Sequence, residues 1–299
     1  MSASTKSGYI TIIGRPNVGK STLLNHCLDM KLSITSRKPQ TTRHQLLGVL
    51  TRGACQFMFL DTPGINAGRK RTGNSIERYM NRQALSTLND VDVILFLVEG
   101  TGWRDGDATV LKHLARTDVP VICVLTKVDR VRNKSQLLPL IEKVSKKSKF
   151  RAIVPVAALR NEGLDMLLDA IETELSEGPH LYSADEITDR STSFFVGELI
   201  REQVVRQLGA ELPHRSTVLV ERFEETDERT TIFAAICIER DSQKRIVIGK
   251  GGSRLKSIGE AARHNIADFL NKNIELRLHV RVRSGWTESR KYLAELGYR

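Results

Sequence analysis

Apolar residues in the first part of the chain come in short continuous runs separated by amphipathic stretches. Tyr9–Ile13, Leu46–Leu50, Gln56–Leu60, Val91–Val98, Val119–Leu125 and Ala152–Val156 are runs of strand length, several rich in β-branched residues. Uninterrupted runs of this kind belong to strands covered on both faces. Helix-compatible sequence fills the intervals, in Ser21–Leu28, Ile76–Leu88, Ala108–Ala115, Leu137–Val144 and Leu164–Leu175. The alternation predicts an α/β domain with a doubly wound sheet. One pair breaks it: Gln45–Thr51 and Cys55–Leu60 flank Gly53 closely enough to form a hairpin, which would make the sheet mixed.

The pattern changes after residue 176. Residues 177–193 are polar, with Gly178, Pro179 and several acids, and read as a linker. In Phe195–Leu208, Val196, Ile200, Val204 and Leu208 recur at four-residue spacing, as on one face of a helix. Val218–Arg222 and Thr231–Ile238 read as strands, and Ser253–Leu270 as a helix with a break near Gly259. Leu276–Arg283 alternates strictly between apolar residues and Arg277, His279, Arg281 and Arg283, the signature of a half-buried strand. Thr287–Leu296 could close the chain as a helix. The expected domains are therefore 1–176 and 194–299, an α/β unit followed by an α+β unit.

Charge sharpens this division. The 299 residues carry a net charge of +11, and residues 240–299 hold 14 basic against 6 acidic residues. Such an excess favours an acidic partner, nucleic acid or an anionic membrane surface. The four cysteines, Cys27, Cys55, Cys123 and Cys237, have neither C-x-x-C nor zinc spacing and read as buried thiols of a reducing, cytoplasmic compartment. No secretory signal and no apolar run of spanning length is present, so membrane contact would be peripheral.

Three motifs give the first domain its chemistry. Gly14-Arg15-Pro16-Asn17-Val18-Gly19-Lys20-Ser21, followed by Thr22, fits G-x-x-x-x-G-K-[ST] between a strand and a helix. Its amides and the helix N-terminus would hold phosphates, Lys20 would reach the β- and γ-phosphates, and Ser21 would bind Mg2+. Asp61-Thr62-Pro63-Gly64 ends an apolar strand, where Asp61 can bind Mg2+ and the Gly64 N–H can sense the γ-phosphate. Thr126-Lys127-Val128-Asp129 ends another strand. The Asp129 carboxylate can accept from guanine N1–H and N2–H2 together, an arrangement that rejects adenine, and the Lys127 stem can lie over the base. Together these predict a P-loop GTPase domain holding GTP or GDP with Mg2+.

In the second domain Val247-Ile248-Gly249-Lys250-Gly251-Gly252-Ser253-Arg254-Leu255 fits V-I-G-x-x-G-x-x-[IL], the core of a KH domain, read here as lying between a strand and a helix. Its glycines let an RNA backbone approach, and Lys250 would contact phosphate. Lys244, Arg245, Arg254 and Lys256 would add attraction. The preceding elements suggest the type II arrangement.

The nucleotide segments resemble those of translation-factor-type GTPases, and Gln40-Thr41-Thr42-Arg43-His44 is similar to the switch segment of the Era family. Arg283-Ser284-Gly285-Trp286 and Leu296-Gly297-Tyr298 resemble that family's ending, so the likeness runs from about Gly8 to Tyr298. The resemblance implies Thr42 as the Mg2+ and γ-phosphate ligand, with Thr41 as second choice. It places Ala157-Ala158-Leu159 where a backbone N–H meets guanine O6. It further implies binding to the 3′ end region of small-subunit ribosomal RNA, help in subunit assembly, a monomer, and peripheral membrane association. Thr126 and Ala157 depart from the family's Asn and Ser, and Ile65 stands where Ras-like proteins place a water-orienting Gln. Those three positions keep open a second reading, a constitutive RNA-binding protein with a weakly active nucleotide domain.

Other features have blander readings. Lys143, Lys146, Lys147 and Lys149 suit a solvated helix end, the arginines of Leu276–Arg283 suit either solvent or RNA, and Trp286 suits packing. Asn17 resembles the residue that holds K+ in related GTPases, and equally suits a role in supporting the loop. If it holds the ion, K+ should accelerate GTP turnover relative to Na+, and Asn17→Ala should remove the difference. Equal rates in KCl and NaCl would end that reading.

Overall fold

The computed structural model describes residues 4–36, 38, 41–63, 88, 90–209, 216–226, 229–287, 289 and 292. These fall into two compact units, one made of 4–33, 42–63 and 88–189, the other of 34–41 and 190 onward. The helix expected at Ile76–Leu88 and the closing helix at Thr287–Leu296 lie almost wholly outside the described residues.

The first unit is a six-stranded mixed sheet flanked by helices. Its elements are β1 (Lys6–Gly14), α1 (Lys20–Cys27), β2 (Leu46–Arg52), β3 (Cys55–Asp61), β4 (Val93–Glu99), α2 (Asp105–Leu114), β5 (Val121–Thr126), α3 (Leu137–Ser145), β6 (Ala152–Val156) and α4 (Leu164–Glu174). The strand order is β2-β3-β1-β4-β5-β6. Every pair is parallel except β2–β3, the antiparallel hairpin that turns at Gly53 with a positive φ of 59°. The apolar runs sit at the centre of this sheet, and all of β4 is buried. Phe96 on β4 is fully buried, meets the Trp103 ring edge-on and stacks on Phe150.

The polar segment after α4 stays with this unit. The amides of Leu181 and Tyr182 donate to Gln56 Oε1, and the Val49 amide on edge strand β2 donates to the Ile187 carbonyl at 2.7 Å. An edge strand presents unpaired backbone groups, and this segment takes up one of them.

The second unit contains α5 (Thr192–Gln207), β7 (Ser216–Glu225), β8 (Thr230–Ile238), α6 (Asp241–Ile248), α7 (Ser253–Leu270) and β9 (Ile274–Val282). The strands form a sheet of order β7-β8-β9, antiparallel at the first pair and parallel at the second. Its core joins Val196, Leu199 and Ile200 of α5, Ile232 and Ala234 of β8, and Ala262 and Ile266 of α7. The order α-β-β-α-α-β is the type II arrangement anticipated above. As the alternation in β9 predicts, Arg277, His279 and Arg281 face solvent. Trp286 is fully buried.

Two expectations for this unit need correction. The Val247–Leu255 motif does not lie between a strand and a helix: a helix, α6, precedes its turn, and Val247 and Ile248 close that helix. That helix is started by Gln243, whose Oε1 accepts the Glu239 and Arg240 amides, and Val247 is its buried anchor. There is also no break at Gly259, because α7 runs unbroken from Ser253 to Leu270. Glycine costs a helix about 1 kcal/mol relative to alanine without ending it. Among the described residues no helix is long and apolar enough to cross a membrane.

Candidate functional site

The phosphate loop leaves β1 at Gly14 and enters α1 at Lys20. A Cβ on Gly14 would lie 2.9 Å from Val18 Cγ1 and 3.0 Å from the Leu97 carbonyl oxygen, so the close turn demands glycine. Gly19, the residue before α1, has a left-handed φ of 114°, which glycine adopts without strain. Asn17 also has a positive φ, 62°. A loop wound in this way collects amide N–H groups around one centre, ahead of a helix N-terminus. Lys20 is buried, with Nζ at 3.4 and 3.3 Å from the Gly14 and Arg15 carbonyl oxygens. Burial pushes its ammonium down to about 8, against the pull of Asp61 and with the help of Arg15. A desolvated cation of this kind gains strongly from an incoming phosphate.

The expected Mg2+ ligands come together beside it. The Ser21 hydroxyl lies 2.8 Å from Thr42 Oγ1 and donates to Asp61 Oδ2 at 2.9 Å. Ser33 donates to the same Oδ2 at 2.8 Å. Asp61 Oδ1 is buried with no hydrogen-bond partner. Burial pushes the Asp61 carboxyl up, while Lys20, Ser33 and Ser21 pull it down. An orphaned carboxylate oxygen beside hydroxyls is a hard oxygen set that fits a partly hydrated Mg2+. The geometry separates the two switch threonines, since the Thr41 hydroxyl is engaged with the Lys38 carbonyl at 2.7 Å and Ser36 Oγ at 3.0 Å. Thr62 donates to the Ile12 carbonyl and Pro63 is buried, so both hold the end of β3 in place. Gly64 and Ile65 lie outside the described residues.

The base loop is tied to the phosphate loop by two bonds. The Thr126 hydroxyl donates to the Val18 carbonyl at 2.7 Å in a buried setting, doing part of what the family's Asn would do. Lys127, at a positive φ of 56°, donates from Nζ to the Asn17 carbonyl at 2.6 Å. Lys127 also meets Glu99 at 3.2 Å, and Glu99 in turn pairs with Arg15 at 2.5 Å. Burial pushes the Glu99 carboxyl up, but the Arg15 and Lys127 contacts outweigh it and hold the group low. Sequence reasoning missed Glu99 and Ser33. A lone acid at the end of the apolar run Val93–Val98 was a readable signal for Glu99, whereas nothing in the sequence marks Ser33.

Asp129 is half-buried in a short 3-10 turn, Val128–Arg130. Ala157 is fully buried and spends its N–H on the Glu162 carbonyl at 3.0 Å, and Ala158 and Leu159 follow it in a short 3-10 turn. Pro16 and Thr22 line the loop and the first turn of α1.

Residues 34–41 belong to the second unit. The Thr35 amide donates to the buried Glu202 carboxylate at 3.0 Å, and buried Arg201 donates to the Thr41 carbonyl at 2.6 Å. Lys38 Nζ donates to the Val205 and Leu208 carbonyls at the end of α5.

In the same unit the G-x-x-G turn joins α6 to α7. Gly249, Gly251 and Gly252 all have positive φ, and a Cβ on Gly249 would meet Arg254 Cβ at 2.8 Å. Lys244, Arg245, Ile248, Gly249 and Lys250 line an open groove with Asp241. Lys244, Arg245 and Lys250 are exposed. Arg254 is turned back, with Nη1 donating to the Ile246 carbonyl at 2.6 Å, and Lys256 lies 3.9 Å from Glu260.

Comparison with known proteins agrees with both halves. Residues 9–127 match the family model for a 50S ribosome-binding GTPase, and residues 211–287 match that for a KH domain. GTPase Era of Ectopseudomonas mendocina (strain ymp) is 45% identical over 294 residues, covering 98% of this chain and 97% of its own length. GTPase Era of Marinobacter nauticus is 46% identical over 293 residues, covering 98% and 95%. A crystal structure of Era with MgGDPNP and nucleotides 1506–1542 of 16S ribosomal RNA superposes with a TM-score of 0.92 at 36% identity, covering 98% of this chain and 99% of that one. A single-residue variant of Aquifex aeolicus Era bound to GDP·AlF4− matches with the same score, identity and coverage.

Thr126→Ala should strand the buried Val18 carbonyl, a loss of about 1–3 kcal/mol. GDP affinity, read by titration of a fluorescent guanine nucleotide, is expected to fall by roughly 5- to 150-fold. Thr126→Ser should recover most of it. An affinity within twofold of the parent would mean that the hydroxyl does not join the two loops.

Proposed function

The chain is a member of the Era family of GTPases, and from that premise we propose that it is a GTP-gated RNA-binding protein that acts on the 3′-end region of small-subunit ribosomal RNA and assists assembly of that subunit. It binds GTP and GDP with Mg2+ and hydrolyses GTP to GDP and phosphate. The observation that carries the gating is the chain of contacts from Thr42 through Ser21 to Asp61 Oδ2, with the other carboxylate oxygen of Asp61 unpartnered and Lys20 buried.

Each residue has a distinct task. The loop amides from Gly14 to Ser21 hold the phosphates, and Lys20 draws charge from the β- and γ-oxygens. Ser21, Thr42 and Asp61 would hold Mg2+, which offsets phosphate charge when bound. Asp129 selects guanine, while Thr126, Lys127 and Glu99 keep the base loop against the phosphate loop. Asn17 is the proposed K+ ligand that compensates for Ile65.

The gating has a covalent route. Thr42 is bonded to Thr41, and the segment ending at Thr41 is held by Arg201 and Glu202 of α5. Release of Thr42 after loss of the γ-phosphate would relax that segment. In the KH module Ile248, Gly249, Lys250, Gly251 and Gly252 would clamp about four nucleotides, with Lys244 and Arg245 adding phosphate contacts. Arg254, bound to the Ile246 carbonyl, shapes the clamp, and Lys256 stands further along α7. The Era solved with nucleotides 1506–1542 of 16S ribosomal RNA supports this choice of RNA. We further propose a cytoplasmic monomer that visits the small ribosomal subunit and associates peripherally with the membrane.

The GTP-loaded chain should bind a 16S 3′-end fragment about tenfold more tightly than the GDP-loaded or empty chain, a coupling of about 1.4 kcal/mol. ATP should fail to displace GTP. Asp129→Asn should move the preference from guanine to xanthine, because an amide can donate to the 2-oxo group. Equal RNA affinity in all three states would favour the constitutive binder, and displacement by ATP would remove the guanine assignment.

A further inference from the structure

The nucleotide-binding unit carries a basic corner that none of the roles above uses. Lys143, Lys146, Lys147, Lys149 and Arg151 fall within nine residues, at the end of α3 and the turn into β6. Glu142 is the single acid among residues 142–151. All five cations are exposed. Lys146 pairs with Glu142 at 2.6 Å, and Arg151 pairs with Glu174 at 3.3 Å. Lys147 Nζ stands 5.8 Å above the Trp103 ring, which is itself fixed edge-on against Phe96. Lys143 and Lys149 have no acidic partner among the described residues. A surface groove runs along this turn from Ser145 to Ile153.

Helix electrostatics does not account for the cluster. Cations do stabilise the negative end of a helix, but the effect fades beyond the last turn. Only Lys143 lies in that turn of α3, and the other four follow it. The remaining excess is charge of one sign left facing water, which favours a polyanion.

We propose that this corner is a second phosphate-contact surface for RNA, located in the nucleotide-binding unit and separate from the KH clamp. It rests on the RNA-binding reading of the KH module. Lysines present compact, mobile charges that suit phosphate contact without base readout. The apolar residues beneath them are committed to the core: Phe150 stacks on Phe96, Trp103 meets the same ring edge-on, and Val144 is buried. A lipid surface would ask for apolar side chains beside the cations, free to enter the acyl boundary. The exposed apolar residue of α3, Leu138, stands at the opposite end of the helix. Charge and small hydroxyls are what the corner offers, and phosphates along an RNA strand match them. A weak additional contact of this type raises avidity for a long RNA while doing nothing for a short one.

The test combines Lys143→Gln, Lys146→Gln and Lys149→Gln in the full chain and leaves Lys147 on Trp103. Binding is measured against salt concentration for an RNA of about 40 nucleotides and for a four-nucleotide oligomer that fits the G-x-x-G clamp. Each phosphate that the variant no longer neutralises should reduce the slope of log K against log salt by roughly 0.7. The long RNA should therefore show a slope shallower by about 1–2 and an affinity lower by several-fold at low salt. Oligomer binding, GDP affinity and GTP turnover should stay at parent values. An unchanged slope for the long RNA overturns the proposal. So does a variant that keeps its RNA slope and loses retention on phosphatidylglycerol vesicles, since the corner would then serve a membrane. Gly252→Asp reports on the clamp separately. If it leaves oligomer binding intact, the KH reading fails, whatever the lysine variant does.

Discussion

Parallel strand pairing is the constraint on which the nucleotide site depends. In an antiparallel sheet, adjacent strand ends would point to opposite edges. Here β1 pairs in parallel with β3 and β4, β4 with β5, and β5 with β6. The register sets Ile12 beside Asp61, Gly14 beside Leu97, Glu99 beside Thr126 and Thr126 beside Val156. The phosphate loop, the Asp61 carboxylate, the Glu99 hub and the loops at Thr126 and Val156 therefore leave the sheet at one edge. That edge is where ligands of open α/β sheets bind. The apolar runs that make these strands are the cause of the site as much as of the core.

The same edge keeps charges out of water before any ligand arrives. Lys20 and Asp61 are both buried. Isolated buried ions are costly, and these two offset each other only in part, as the downward push on Lys20 indicates. A nucleotide with its metal would offer what each lacks: oxygens for Lys20 and a cation for Asp61 Oδ1. Glu99 solves a different problem. It binds Arg15 of the phosphate loop and Lys127 of the base loop, so the two halves of the pocket share one anchor. With Thr126 held to Val18, the loops are joined even though the family's asparagine is absent.

Much of this could be read in advance because it rests on local chemistry. Continuous apolar runs announced the strands, and G-x-x-x-x-G-K-S announced the phosphate loop. The Gly53 hairpin and the alternating face of β9 followed from periodicity. What could not be read depended on contacts far apart in sequence. Ser33 reaches Asp61 across 28 positions, and Glu202 reaches Thr35 across 167. The errors were of another kind. The Val247–Leu255 motif was expected to follow a strand, yet α6 precedes its turn, because Gln243 starts a helix and Val247 needs a core. Gly259 looked like a break, but flanking helix formers and packing against the sheet carry α7 through it. The bond from Arg254 Nη1 to the Ile246 carbonyl, eight positions back, is likewise outside what a linear motif shows.

The two anion sites repeat one local device in different settings. Gly19 caps α1 with a φ of 114°, and Gly252 caps α7 with a φ of 80°. Both are left-handed glycines set at a helix N-terminus, where the dipole favours an anion. What differs is the surround. Around Gly19 the cation is buried, the carboxylate is orphaned and the turn is closed at Gly14 by Val18 and Leu97, so the cradle suits one compact anion with its metal. Around Gly252 the groove is open and Lys244, Arg245 and Lys250 are exposed. Nothing there measures the length of the anion. An open turn with mobile cations suits a phosphate that is one of many along a strand, and a closed turn with a buried cation suits a phosphate that ends a chain. Burial of the charge, more than the glycine motif, separates a site that can sense the γ-phosphate from one that can follow an RNA backbone.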